Sequence, residues 1–137
     1  MHRLAGLLLL SVVVGACGGR SDADQADTTY GTPVDASEAI PAPAVAAEDS
    51  LYVGHRVTID GRIVAVRTGG CEVHLSTDAV PLVVTAPRTD ADSCAWKVPR
   101  GAHGFAVAAG TLRVAEDTLR LFATGVRRTP VRLSPDP

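Results

Sequence analysis

Three cysteines and four histidines carry most of the reactive chemistry open to this chain. Cys71, His74, Cys94 and His103 are the residues from which a metal or redox site could be assembled, because thiolate and imidazole are the donors such a site needs. Residues 71 and 74 stand three apart in a stretch that alternates like a strand, which sends their side chains to opposite faces. A shared metal is therefore not the expected use of these groups, and no cofactor is expected. Gly-x-Ser-x-Gly, His-Glu-x-x-His, phosphate-loop and dinucleotide signatures are absent from the sequence. The adjacent acids Glu48-Asp49 and Glu116-Asp117 read as solvating charges in a linker and at a hairpin tip rather than as an acid/base couple. His55 and His103, each close to a glycine, read as surface residues. No enzyme is expected.

The segment that must position these groups, residues 51–128, reads as all-β. Val57, Ile59, Ile63, Val64 and Val66 form a long first strand whose apolar parity changes after Gly61, which predicts a bulge or bend there. After the turn Thr68-Gly69-Gly70, Cys71, Val73 and Leu75 alternate with Glu72, His74 and Ser76 as a half-buried second strand. Residues 81–86 make a third, ended by Pro87. Phe105, Val107 and Ala109 open a fourth, in which Gly110 shifts the parity before Leu112 and Val114. Leu119, Leu121 and Ala123 make a fifth. Five strands, glycine bends in the first and fourth, and a longer connection between the third and fourth suit a small five-stranded Greek-key barrel of the OB-fold type, with an open β-sandwich fragment as the alternative. The stretch 88–100 is too rich in proline and small polar residues for more than a turn or two of helix. Trp96 and Phe105 read as core plugs at the barrel ends.

The N-terminus has a different character. His2-Arg3 is basic, residues 4–14 are apolar, and Val14-Gly15-Ala16-Cys17 combines small residues with a thiol. This resembles the lipobox of bacterial lipoproteins, with valine where leucine is commoner. The resemblance implies that residues 1–16 are a signal peptide cleaved before Cys17, and that Cys17 carries lipid and holds the protein to a membrane of the bacterial envelope. A transmembrane anchor fits poorly, since the apolar run would span about 20 Å as a helix against a hydrocarbon core of about 30 Å. Gly18 stands where an aspartate commonly signals inner-membrane retention, so the periplasmic side of the outer membrane is the expected destination if the envelope has two membranes. Residues 17–50 read as the lipidated cysteine and a disordered tether, dominated by Asp, Ala, Thr, Ser and Pro. Residues 129–137 read as a proline-containing tail.

The barrel pattern has a looser resemblance of its own. Gly61-Arg62-Ile63, Gly70-Cys71, Val98-Pro99-Arg100-Gly101 and Val107-Ala108-Ala109-Gly110, spread over residues 57–112, resemble uncharacterised exported bacterial proteins with OB-fold domains. Those relatives often place an aromatic residue after the Gly-Cys pair, where this chain has Glu72. A pocket lined by that ring is not carried over, and no catalytic activity is implied.

Export leaves Cys71 and Cys94 as an even pair in an oxidising compartment, for which a disulfide is the default and a metal site or free thiols the alternatives. The net charge of −2 hides a split: residues 18–50 hold seven acids against Arg20, whereas residues 51–137 hold eleven bases against eight acids. So mild a positive excess is an ordinary solvated surface. Single-stranded nucleic acid would need aromatic platforms in a basic groove. Tyr52, Trp96, Phe105 and Phe122 are the aromatics of residues 51–128, and none falls on the second or third strand. No nucleic-acid partner is expected.

What remains is a non-enzymatic envelope module binding a protein, a glycan or a small ligand, with metal handling through Cys71, Cys94, His74 and His103 as the alternative. If Cys71, Val73 and Leu75 face inward, Glu72 and His74 face outward. Together with Arg67, Thr85 and Arg88, and flanked by Thr68 and Glu116-Asp117, they form the expected ligand face. That face is mixed in charge and without an aromatic anchor, which suits a weak or wet contact.

Overall fold

The computed structural model describes residues 27–90 and 92–130. The expected signal peptide and Cys17 lie outside these residues. In chain order the elements are β1 Thr28–Gly31, β2 Ile40–Pro41, a short helix α1 Ala42–Ala47, a helical turn α2 Asp49–Tyr52, and β3 Arg56–Arg67. These are followed by β4 Glu72–Leu75, β5 Leu82–Thr85, β6 Arg88–Asp90, β7 Ser93–Cys94, β8 Phe105–Ala115 and β9 Thr118–Thr129.

Strand β3 is what closes the barrel. Its first half, from Arg56 to Arg62, pairs antiparallel with β8, and its second half, from Ile63 to Arg67, pairs antiparallel with β4. From there β4 pairs with β5, β5 runs parallel to β9, and β9 returns along β8. The cyclic order β3-β4-β5-β9-β8 with one parallel contact is that of an OB-type Greek-key barrel. An open sandwich fragment would break this ring, whereas each of the five strands pairs with both of its neighbours in it.

The interior is filled by alternate residues of each strand: Val57, Ile59 and Ile63, then Val73 and Leu75, then Leu82 and Val84, then Ala106, Ala108 and Leu112, then Leu121, Ala123 and Val126. The bend in the first strand is displaced from its expected position. The ladder shifts between Ile63 and Ala65, so Val64 is the bulged residue, 47% exposed, and Val66 regains the inward side. Gly61 has another role, since a Cβ there would stand 3.0 Å from the Cβ atoms of Ala42 and Leu75. Its bare backbone lets α1 and β4 close on the strand.

In β8 the expected parity is overturned. Ala106 and Ala108 point inward with Leu112 in one unbroken phase, and Val107, although 0% exposed, lies outside that cluster, between Asp60 and Arg127 in register. Val114 is 55% exposed. The irregularity is carried by the partner strand: Ala109 pairs with Gly125 and Gly110 with Ala123, which leaves Thr124 as the extra residue. The alanines join a core cluster that also holds larger side chains, Trp96 among them.

The tether reading also fails from Thr28 onward. β1 pairs with the end of β9, β2 lies parallel to β3 at Ile40 and Ile59, and α1 delivers Ala42 and Val45, both 0% exposed, to the core. Pro41 precedes the first helical residue and Pro43 sits in the first turn, where a missing N–H costs nothing, so these prolines start a helix rather than forbid one. OB barrels usually insert their helix between the third and fourth strands. Here that connection holds the small β6–β7 ladder, and the helix comes from the N-terminal side.

Candidate ligand-binding face

Alternation on three adjacent strands builds the outer face. With Val73 and Leu75 inward on β4, Glu72 and His74 point out; with Leu82 and Val84 inward on β5, Val83 and Thr85 point out; with Leu121 and Ala123 inward on β9, Arg120 and Phe122 point out. Register then sets two rows across the face. One runs Arg67, Glu72, Thr85, Phe122, Thr111, and the other Ala65, His74, Val83, Arg120, Arg113.

Arg120 ties the rows together. Its Nη1 donates to Glu72 Oε1 at 3.0 Å and to Thr85 Oγ1 at 3.3 Å. His74 Nε2 stands 3.7 Å from Glu72 Oε2, buried and without a hydrogen-bond partner. The side chains of Glu72, His74 and Arg120 keep only about a fifth of their surface in solvent. Partial burial pulls the Glu72 pKa upward, but the hydrogen bond and charge of Arg120, helped by contacts to Thr68 and His74, outweigh it and hold the carboxyl below its ordinary value. Glu72 is therefore an anion held in place by a cation. Val83, 4% exposed, lies between His74 and Arg120 in the same row, so the network encloses an apolar floor.

Of the expected face residues, the structure brings Arg67, Glu72, His74 and Thr85 together. Arg88 is elsewhere: Pro87 ends the third barrel strand, and Arg88 joins the separate β6–β7 ladder opposite Cys94. Glu116 and Asp117, with φ of +54° and +60°, form the tight turn that closes the hairpin bearing Arg113 and Arg120. Two face residues went unread in the sequence, Arg120 and Phe122. Phe122 is 40% exposed and supplies the ring that the face was expected to lack. The signal existed, because an inward Leu121 sends both neighbours outward, but it becomes visible only once β9 is laid parallel to β5.

Cys71 and Cys94 are joined, with an Sγ–Sγ distance of 2.00 Å and Cα atoms 6.0 Å apart. The bond occupies both sulfurs that a metal site would need. His74 turns to the outer face, and His103 Nδ1 lies 3.4 Å from the carbonyl of Gly101 on an exposed loop. Among the described residues no group of three His, Cys, Asp or Glu side chains is placed to hold a metal ion. Trp96 is a core residue as expected, whereas Phe105 is only half-buried and lies outside the core. No protein-family model matches this chain, and no curated protein sequence matches it.

Proposed function

We propose that this chain is an envelope lipoprotein whose barrel is a non-enzymatic binding module, held to the membrane through Cys17 and offering the outer face of β4, β5 and β9 to an envelope protein, a glycan or a small ligand. The observation that supports this reading is the Arg120–Glu72–Thr85 network beside an exposed Phe122. Arginine and aromatic side chains fixed in position lose little freedom on binding, and such residues dominate the energetics of interfaces. A solvated face has no need of a charge pair held four-fifths out of water. Nucleic acid is not the proposed partner, since the face carries a single ring and a carboxylate at its centre.

Two experiments test the two halves of this proposal. Wild-type protein should enter the detergent phase with an acyl mass on Cys17, and Cys17→Ser should lose both; retention of the acyl mass in that variant would remove the anchor. For the face, a screen of the soluble barrel against envelope proteins and glycans should yield a partner whose affinity falls on the order of tenfold or more in Phe122→Ala, the usual scale of an aromatic anchor. Charge reversal at Arg67 or Glu72 should weaken the same partner. Unchanged affinity in all three variants would show that the partner docks elsewhere.

A further inference from the structure

Beside this face, and sharing Arg67 and the flanking Thr68 with it, lies a cleft of about 600 Å³. One wall is the β3–β4 turn, Arg67, Thr68, Gly69 and Gly70; the other is Lys97, Val98, Pro99 and Arg100. All its charged side chains have the same sign. Arg67, Lys97 and Arg100 are each exposed, no carboxylate lines the cleft, and among the described residues none of the three makes an ion pair. Elsewhere on the barrel the pattern differs: Arg120 is neutralised by Glu72 and Arg127 by Asp27.

The two walls are also fixed to each other. The Val98 N–H donates to the Gly70 carbonyl at 2.9 Å, and Gly70 approaches so closely, at φ +96°, that a Cβ would stand 2.5 Å from the Val98 carbonyl oxygen. Immediately behind this contact the Cys71–Cys94 bond joins the same two segments covalently. The three cations therefore project from two backbone segments tied to each other by a hydrogen bond and a disulfide. Their mutual repulsion is relieved when an anion enters, and a guanidinium fork matches phosphate oxygens in pairs while an ammonium adds a point charge. The volume exceeds that of a bare phosphate and leaves room for the group that carries it.

We infer that this cleft is an oxyanion site that takes a phosphoryl group, borne by a soluble phosphorylated compound or by a phospholipid headgroup. The site stands whether or not the β4–β5–β9 face binds a partner, because Lys97 and Arg100 are not part of that face.

The test uses the exported chain, unreduced, with Cys17→Ser so that an acyl group cannot carry it to a bilayer. In titration calorimetry inorganic pyrophosphate should bind saturably at one site. Lys97→Gln and Arg100→Gln should each weaken it by on the order of tenfold, as loss of a charge-assisted hydrogen bond entails. The double variant should not bind. All three cations are exposed, so the thermal midpoint of the double variant should match wild type and certify its fold. If pyrophosphate fails but phosphatidylglycerol vesicles float the protein, and the double variant releases it, the phosphoryl source is the headgroup. Binding of neither probe, or equal binding by the double variant, overturns the site.

Discussion

Trp96→Ala will cost the barrel about 3–5 kcal/mol, the largest single-residue loss expected from its core. The chain has one tryptophan, and it is 3% exposed while its core neighbours are mostly Val, Leu and Ala. Its indole Nε1 donates to the carbonyl of Ala123 at 2.8 Å across a buried gap, and Cδ1 lies 3.0 Å from where a Cβ on Gly31 would stand. One side chain therefore holds the β7–β8 connection, the fifth barrel strand and the N-terminal strand together. Truncation leaves a cavity and strips a buried carbonyl of its donor. Trp96→Phe separates the two effects, because it keeps most of the volume and should lose about 1–3 kcal/mol for the missing hydrogen bond and the volume difference. Urea unfolding measures both. A midpoint in Trp96→Ala within error of wild type, at unchanged slope, would show that the ring is not part of the core.

How much of this was legible beforehand depended on what each strand faced. Glu72–Leu75 and Leu119–Ala123 were readable because one side of each meets the core and the other meets water, and strict alternation follows. β8 misled for a specific reason. Val107 is larger and more apolar than Ala106 or Ala108, so hydropathy favours the wrong phase, whereas the core cluster takes the two alanines and Leu112. The glycines were wrongly read as the irregularities themselves: the bulged residues are Val64, three residues beyond Gly61, and Thr124, on the strand paired with Gly110, and Gly110 is needed because a Cβ there would stand 2.0 Å from the Phe122 carbonyl oxygen. Composition hid the N-terminal segment. Its anchors, Tyr30, Ile40, Val45 and Tyr52, are scattered through Ala and Pro that resemble a linker, and their value shows only against the barrel they cover. The ligand face was half legible for the same reason. Strands β4 and β5 declare their outer residues locally, but Arg120 and Phe122 reach the face through a parallel pairing that joins residues far apart in sequence.

The second large effect concerns Cys71 and Cys94. The chain from Pro87 to Gly104 lacks the helix that OB barrels usually place there, so its hold on the barrel rests on a small ladder, on Trp96 and Val98, and on the disulfide. The bond closes a loop across a sequence separation of 23, which in the chain-entropy model is worth about 3 kcal/mol by restricting the unfolded chain. A domain of this size commands only about 5–10 kcal/mol in total, so the double variant Cys71→Ser/Cys94→Ser should lose about 2–5 kcal/mol and be partly unfolded at elevated temperature. Replacing both cysteines avoids leaving a reactive thiol that would confuse the result. Because Trp96 follows Cys94 by two residues and is the only tryptophan, its emission reports on this segment without a label. In the double variant at low temperature the barrel should remain folded, with emission shifted to the red as the indole loosens from Ala123, and amide exchange should accelerate first between residues 87 and 104. Non-reducing peptide mapping of the wild type should recover the Cys71–Cys94 peptide pair. Two alkylatable thiols in the native unreduced protein, or a double variant as stable as wild type, would mean that the connection is held by its packing alone.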